Sequence, residues 1–209
     1  MLIENREPKG EVRDSGYYRA VGDVAIADLL RKTQSAVIAN GNELEKLIFK
    51  YSKHPITLRD QKLPGFNLSQ KQAFVVQMRI ENPGSKNIAL DCFLATPDRI
   101  FIFEMKDGMN FDTKKSAGEV VSLKRAAAYL KERDVLSRPV IPKIVLWNCE
   151  DLSFSSFKCK EGVQMLMLGQ EFAKLVGIDK KTVDEQRVLD RNINRAYIIS
   201  RMKEIVEAA

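Results

Sequence analysis

The sequence predicts an α/β fold in which a mixed central sheet of about five strands is flanked by helices. Helical patterns, with apolar residues three and four positions apart, stand before and after a block of extended segments. The interiors of these segments are almost continuously apolar, which is typical of strands covered on both faces. Turn sequences rich in Pro, Gly, Asn and Asp separate them.

We predict a short arm followed by one domain. Residues 1–16 are polar and charged with almost no apolar periodicity, so they form a flexible or partner-ordered arm. The domain, 17–209, divides into a helical N-terminal part (17–54), a core (70–150) and a C-terminal strand with helices (160–209). The predicted helices are 17–30, 33–52, 116–133, 171–176 and 183–207. The predicted strands are 73–81, 88–95, 99–106, 140–147 and 163–168.

Local signals predict where several helices start and stop. Gly41 interrupts the second helical stretch. His54 and Pro55 end it, because the residue before a proline avoids helical angles. Ser116, followed three residues later by Glu119, is a capping-box signature for the start of the helix at 116–133.

Composition excludes several classes of protein. Apolar residues make up 44% and charged residues 30%, and no apolar run approaches the roughly 18 residues that span a bilayer, so we expect no membrane insertion. The N-terminus lacks a secretory signal, which indicates a cytoplasmic protein. Three cysteines without a CxxC pair and one histidine argue against structural zinc. The net charge of +6 favours a polyanionic partner.

Three charged residues interrupt two apolar strands, where a charge is costly unless it is compensated. They are Asp91 in the second strand and Glu104 and Lys106 in the third. If the hairpin closes tightly through Pro97 and Asp98, paired positions sum to about 195, and Asp91 falls opposite Glu104. Because side chains two apart on a strand share a face, all three groups are predicted to converge. A slip of one residue would send Asp91 to the other face.

The converging charges predict a metal-dependent hydrolytic site. Two opposed carboxylates repel each other unless a cation lies between them or one is protonated. Few hard oxygen ligands, with open positions for water and phosphate, suit Mg2+. Lys106 could then hold or activate a water and balance developing negative charge, which predicts phosphodiester hydrolysis. The alternative interpretation is a salt-bridged polar patch at a strand end.

The pattern of Asp91, twelve intervening residues and then Glu104-Met105-Lys106 resembles the PD-(D/E)XK nuclease superfamily. The resemblance covers roughly residues 35–148 and implies a restriction-endonuclease-like core. The stretches 110–115, 168–172 and 177–179 are similar to segments of type II restriction endonucleases. That similarity implies a homodimer acting with Mg2+, or with Mn2+ as a substitute, on short palindromes in double-stranded DNA. Leu90 stands where the superfamily has its name-giving proline.

The resemblance also implies a glutamate on the helix before the sheet. Glu45 is the first candidate to join Asp91, Glu104 and Lys106 in catalysis, and Glu43 is the second. Glu119 is a further candidate, although helix capping is its alternative role.

Loop and helix-end cations are candidates for contacts with DNA phosphates, although each is equally explained as a solvated side chain. The candidates are Arg59, Lys62, Lys114, Lys115, Lys158 and Lys160. A site-specific duplex endonuclease is the function predicted by the resemblance. A structure-specific or repair nuclease of the same superfamily, or a non-catalytic DNA-binding protein on this fold, are the alternatives.

Overall fold

The computed structural model of the protein describes residues 2–40, 43–52, 56–57, 62–63, 73–80, 87–108, 113–154 and 157–208. The chain forms two compact units, one of Met1–Leu44 with Lys181–Ala209 and the other of Glu45–Lys180. None of the helices in the described ranges has the length and apolar character needed to cross a lipid bilayer.

Helices precede and follow the described strands, as the sequence predicts. The α-helices are α1 (Gly16–Val21), α2 (Val24–Asn40), α3 (Glu43–Tyr51), α4 (Thr113–Arg133), α5 (Gly169–Leu175) and α6 (Lys180–Glu207). The strands are β1 (Ile56–Thr57), β2 (Lys62–Leu63), β3 (Ala73–Ile80), β4 (Ile88–Ala95), β5 (Ile100–Lys106), β6 (Val140–Leu146) and β7 (Leu166–Leu168).

The strands form one mixed sheet in the order β1-β3-β4-β5-β6-β7, with β2 pairing with β3. β4 runs antiparallel to its neighbours β3 and β5, whereas β5, β6 and β7 run parallel to one another. The predicted mixed sheet flanked by helices is therefore confirmed. Its five predicted strands correspond to β3 to β7, and β1 and β2 add two residues each.

Helices cover the sheet of the second unit on both faces. On one face, buried residues of α4 such as Leu123 and Leu130 pack against strand residues such as Phe93 and Ile102. On the other, the ring of Phe172 in α5 meets Phe103 of β5 edge to face, with 4.9 Å between ring centroids. Burying each side chain of this size contributes roughly 1.5–3 kcal/mol. This two-sided burial explains why the strand interiors read as apolar.

The connection from β7 to α5 depends on Gly169. A Cβ atom at this position would lie 2.3 Å from the carbonyl oxygen of Trp147 and 2.7 Å from its Cα. Both contacts are with main chain, which cannot rotate away. Only glycine therefore allows α5 to begin directly after β7 and to lay Phe172 against the sheet.

Two predicted elements are each divided in the structure. The predicted helix 17–30 is wrong, because α1 ends at Val21. The next residue, Gly22, has a φ of +70°, which is easy only for glycine. Asp23 directly precedes α2 and caps it, since its carboxylate accepts a hydrogen bond from the backbone N–H of Ile26 at 2.8 Å. The predicted strand 163–168 is wrong in its first half, where Lys160–Met165 forms a 3-10 helix. In each case the prediction had joined parts of two separate elements.

The capping-box prediction is also wrong. α4 begins at Thr113, so Ser116 lies inside the helix and is buried, with 1% of its surface exposed. Glu119 is consequently on the second turn of the helix and does not cap its N-terminus.

In the first unit, the N-terminal residues make specific contacts with the helices. Arg31 of α2 is buried, and its Nη2 donates to the carbonyl oxygens of Lys9 and Gly10 at 2.9 and 2.7 Å. The backbone N–H of Ile3 donates to the side-chain oxygen of Asn194 in α6 at 2.7 Å. These contacts satisfy backbone groups that would otherwise need water. The flexibility of the arm stays a prediction.

In the second unit, a buried ion pair closes the connection between α4 and β6. Arg138 Nη2 lies 2.7 Å from Asp134 Oδ1, and both side chains are almost fully buried. Arg138 Nη1 also donates to the carbonyl oxygen of Thr96 at 3.0 Å, which ties this connection to the β4–β5 hairpin. The hydrogen bonds from Arg138 hold the pKa of Asp134 below its usual value of 3.8.

Asp134→Ala should destabilise the protein by about 3–5 kcal/mol at pH 7, because it leaves a buried guanidinium without its carboxylate. A lowered carboxyl pKa stabilises the fold above the unfolded pKa, so this difference should shrink as the pH falls below about 4. Urea unfolding at several pH values measures it. The control, Glu132→Ala, removes an exposed pair with Arg133 and should cost less than about 1 kcal/mol. Equal effects of the two changes would contradict the role of the buried pair.

Candidate active site

The β4–β5 hairpin has the register that the sequence predicts. The two strands pair from Cys92 opposite Phe103 to Ala95 opposite Ile100. At the turn, the backbone N–H of Thr96 donates to the carbonyl oxygen of Arg99 at 2.8 Å. Continuing this register by one pair sets Asp91 opposite Glu104. Glu104 and Lys106 are two residues apart on β5 and therefore share the face that α4 covers.

The carboxylate of Asp91 reaches across to the neighbouring strand. Its Oδ2 accepts a hydrogen bond from the backbone N–H of Met105 at 2.7 Å. Burial, the charge of Glu104 and, to a smaller extent, the charge of Glu45 raise its pKa, which lies at about 7 instead of 3.8. The hydrogen bond from Met105 and the charge of Lys106 act in the opposite direction but do not outweigh these effects. Asp91 therefore lies among carboxylates that disfavour its own charge.

Lys106 is held between two carboxylates. Its Nζ donates to Glu104 Oε1 at 2.9 Å and to Glu119 Oε1 at 2.7 Å, and all three side chains are partly buried. Burial alone would lower the pKa of Lys106, but the hydrogen bonds to Glu119 and Glu104 outweigh it and raise the pKa above 10.5. The amine is thus an ammonium ion at neutral pH in this arrangement.

Glu45 is the helix glutamate whose charge reaches the site. It lies on α3 and is buried, with 6% of its surface exposed, and its charge raises the pKa of Asp91. Its Oε2 accepts a hydrogen bond from Nε2 of Gln77, in the middle of β3. Glu43, the second candidate, is the first residue of α3. Of the two glutamates, only Glu45 is among the charges that act on Asp91.

Gln77 is a site residue that the sequence interpretation missed. A polar side chain inside an apolar strand is the same signal that identified Asp91, but an uncharged amide carries it less clearly. The register of β3 with β4 sets Gln77 opposite Asp91, between the pairs Val76–Cys92 and Met78–Leu90. Its φ of +55° is in the left-handed region, which costs a residue with a side chain about 1–3 kcal/mol.

The charges of this cluster fit a divalent cation. Glu45, Asp91, Glu104 and Glu119 supply four carboxylates, and Lys106 is the ammonium ion that contacts two of them. Glu119 Oε2 is buried and has no hydrogen-bond partner. Across the described ranges, no three Asp, Glu, Cys or His side chains are close enough to enclose an ion. An ion held by Asp91 and Glu104 would keep positions for water and phosphate, as Mg2+ prefers.

The structure describes five of the six cations that were predicted to contact DNA. Lys158 and Lys160 are exposed on the connection from β6 to β7. Lys62 lies on β2, and Lys114 and Lys115 lie at the start of α4. Arg59 lies outside the described residues. Contacts of these residues with DNA stay predictions.

The fold and the cluster together define an α/β protein with a carboxylate and ammonium site on a covered mixed sheet. The chain is 29% identical over 206 residues to the type II restriction enzyme HhaII from Haemophilus parahaemolyticus. The similar region takes in 93% of this chain and 90% of that enzyme. No protein-family model and no solved structure matches the chain significantly.

Asp91→Asn should stabilise the metal-free protein at pH 8 but not at pH 4. A raised pKa means that the folded state disfavours the ionised carboxyl, and this penalty is absent below about 3.8, grows up to about 7 and is complete above it. Asparagine stays neutral and keeps an oxygen for the N–H of Met105. Thermal unfolding in a chelating buffer measures the difference in Tm.

The control for this measurement is Asp151→Asn, at an exposed carboxylate whose pKa is lowered by hydrogen bonds from Ser153. This variant should gain no stability as the pH rises. A Tm difference for Asp91→Asn that is the same at both pH values would contradict the electrostatic interpretation of the cluster.

Proposed function

We propose that the protein is a Mg2+-dependent type II restriction endonuclease, which hydrolyses phosphodiester bonds in double-stranded DNA at a short specific sequence. The convergence of Asp91, Glu104 and Lys106 on one face of a covered sheet is the observation that carries this proposal. The similarity to a type II restriction enzyme over most of both chains supports the same activity. The PD-(D/E)XK spacing supports membership of that nuclease superfamily.

Each residue of the cluster has a distinct proposed task. Asp91 and Glu104 would hold the ion, and a bound divalent ion polarises the phosphodiester and lowers the pKa of a coordinated water. Lys106 would balance the negative charge that develops on the phosphoryl oxygens, because its ammonium is already held in place. Glu119 positions Lys106 through its 2.7 Å ion pair. Glu45 adds negative charge beside Asp91 and so strengthens cation binding.

The partners of the proposed enzyme follow from its substrate. A net charge of +6 favours approach to DNA at low ionic strength. Homodimerisation, a cytoplasmic location and replacement of Mg2+ by Mn2+ stay predictions, as do the phosphate contacts of Arg59, Lys62, Lys114, Lys115, Lys158 and Lys160.

The purified protein should convert a plasmid of known sequence into discrete fragments when Mg2+ is added. Asp91→Ala and Glu104→Ala should each reduce cleavage at least about 100-fold, because loss of a metal ligand removes several kcal/mol of transition-state stabilisation. Gel-shift binding of the fragments should persist. Glu161→Ala, at an exposed carboxylate that pairs with Lys124, is the matched control and should cut normally.

Mapping the fragment ends tests the kind of nuclease. Cleavage at one repeated short sequence agrees with a restriction activity, whereas preference for branched over linear DNA would select a structure-specific nuclease. Full cleavage by either cluster variant would remove these carboxylates from the mechanism.

Lys106→Met should abolish cleavage but strengthen divalent cation binding. Removal of the ammonium eliminates a positive charge next to the ion and frees Glu104 from its hydrogen bond. Isothermal titration with Mn2+ in the absence of DNA measures the affinity, and a plasmid assay measures cleavage. Lys124→Met, which removes a surface ion pair instead, should alter neither. Weaker Mn2+ binding by Lys106→Met would mean that the amine supports the ion and not the reacting phosphate.

A further inference from the structure

Gln77 interrupts the regular alternation of β3 next to the proposed metal site. In a regular strand, residues three apart face opposite sides of the sheet. Val75 and Met78 nevertheless belong to the same buried cluster beneath α4. The change of phase falls at Gln77, where φ is +55°. Leu90 and Phe93 of β4 share that cluster as well, with Asp91 between them. The sheet is thus distorted where Gln77 and Asp91 lie opposite each other.

The backbone conformation does not favour glutamine at this position. Glycine adopts a positive φ without strain, and asparagine is the usual substitute when a side chain is present. Glutamine at this position is strained, but its side chain is longer than that of asparagine and carries an amide donor that glycine lacks. That donor is used, because Nε2 of Gln77 donates to Oε2 of Glu45. Local distortions of this kind often redirect a side chain near an active site.

The hydrogen bond opposes a repulsion inside the cluster. The charges of Glu45 and Asp91 interact unfavourably, and Glu45 is buried, so water screens them poorly. The hydrogen bond from Gln77 opposes movement of the Glu45 carboxylate under this repulsion. The amide of Gln77 holds Oε2 of Glu45, whose negative charge acts on Asp91.

We propose that Gln77 is a positioning residue, which fixes the carboxylate of Glu45 beside Asp91 and thereby raises the affinity of the site for a divalent cation. The proposal rests on the proposed function, since it concerns the same metal site. Gln77 acts through Glu45 and touches no reacting atom.

Gln77→Gly tests the proposal, because glycine keeps the positive φ while the amide is lost. Isothermal titration of the DNA-free protein with Mn2+ should show about 10-fold weaker binding, the lower end of the loss typical for partners that orient metal ligands. The Tm should stay within about 4 °C of wild type, because relief of backbone strain offsets the greater entropy of glycine. Ser137→Gly is the matched control, at an exposed residue with a φ of +53°, and should leave the Mn2+ affinity unchanged.

A double-mutant comparison separates positioning from a general effect on the fold. In a Glu45→Gln background, Gln77→Gly should weaken Mn2+ binding no further, because the carboxylate that it positions is already gone. An additive loss, or wild-type affinity in the single variant, would overturn the role of Gln77 while wild-type cleavage still supports the proposed function. A wild-type protein that neither binds Mn2+ nor cuts DNA would overturn both.

Discussion

The register between β4 and β5 is the constraint on which the candidate site depends. It is fixed near one end by the hydrogen bond between Thr96 and Arg99, and at the other by the bond from the backbone of Met105 to the carboxylate of Asp91. The carboxylate of Asp91 therefore helps to align the two strands, in addition to its place in the candidate site. A shift of one residue would break this bond and separate Asp91 from Glu104 in the same step.

The cluster is unfavourable for the fold when no cation is present. Three unfavourable features belong to neighbouring elements. They are the high pKa of Asp91 on β4, the oxygen of Glu119 on α4 that has no hydrogen-bond partner, and the strained φ of Gln77 on β3. A core built for stability alone would contain none of these features. Their concentration around one pair of strands is typical of a site that is completed by a ligand, and it contrasts with the fully paired Arg138 and Asp134 elsewhere in the same unit.

The sequence predicted the features that change the polarity of a strand. Asp91, Glu104 and Lys106 stood out because each puts a charge into an apolar run, and the hairpin arithmetic then fixed their common face. It did not identify Gln77, because an amide is a weaker signal and a positive φ inside a strand has no local pattern. Glu119 was a candidate for the site, but its spacing from Ser116 imitates a capping box. Its ion pair with Lys106 could not be predicted, because it depends on the position of α4 on the sheet.

Gly169 affects the packing of β5, the strand that carries Glu104 and Lys106, although the two segments are far apart in the sequence. Any larger residue would collide with the main chain of Trp147 and lift α5 from the sheet. Phe172 would then lose its contact with Phe103, which directly precedes Glu104 in β5. Any variant that keeps this architecture must therefore keep glycine at position 169, although the residue lies outside the carboxylate cluster.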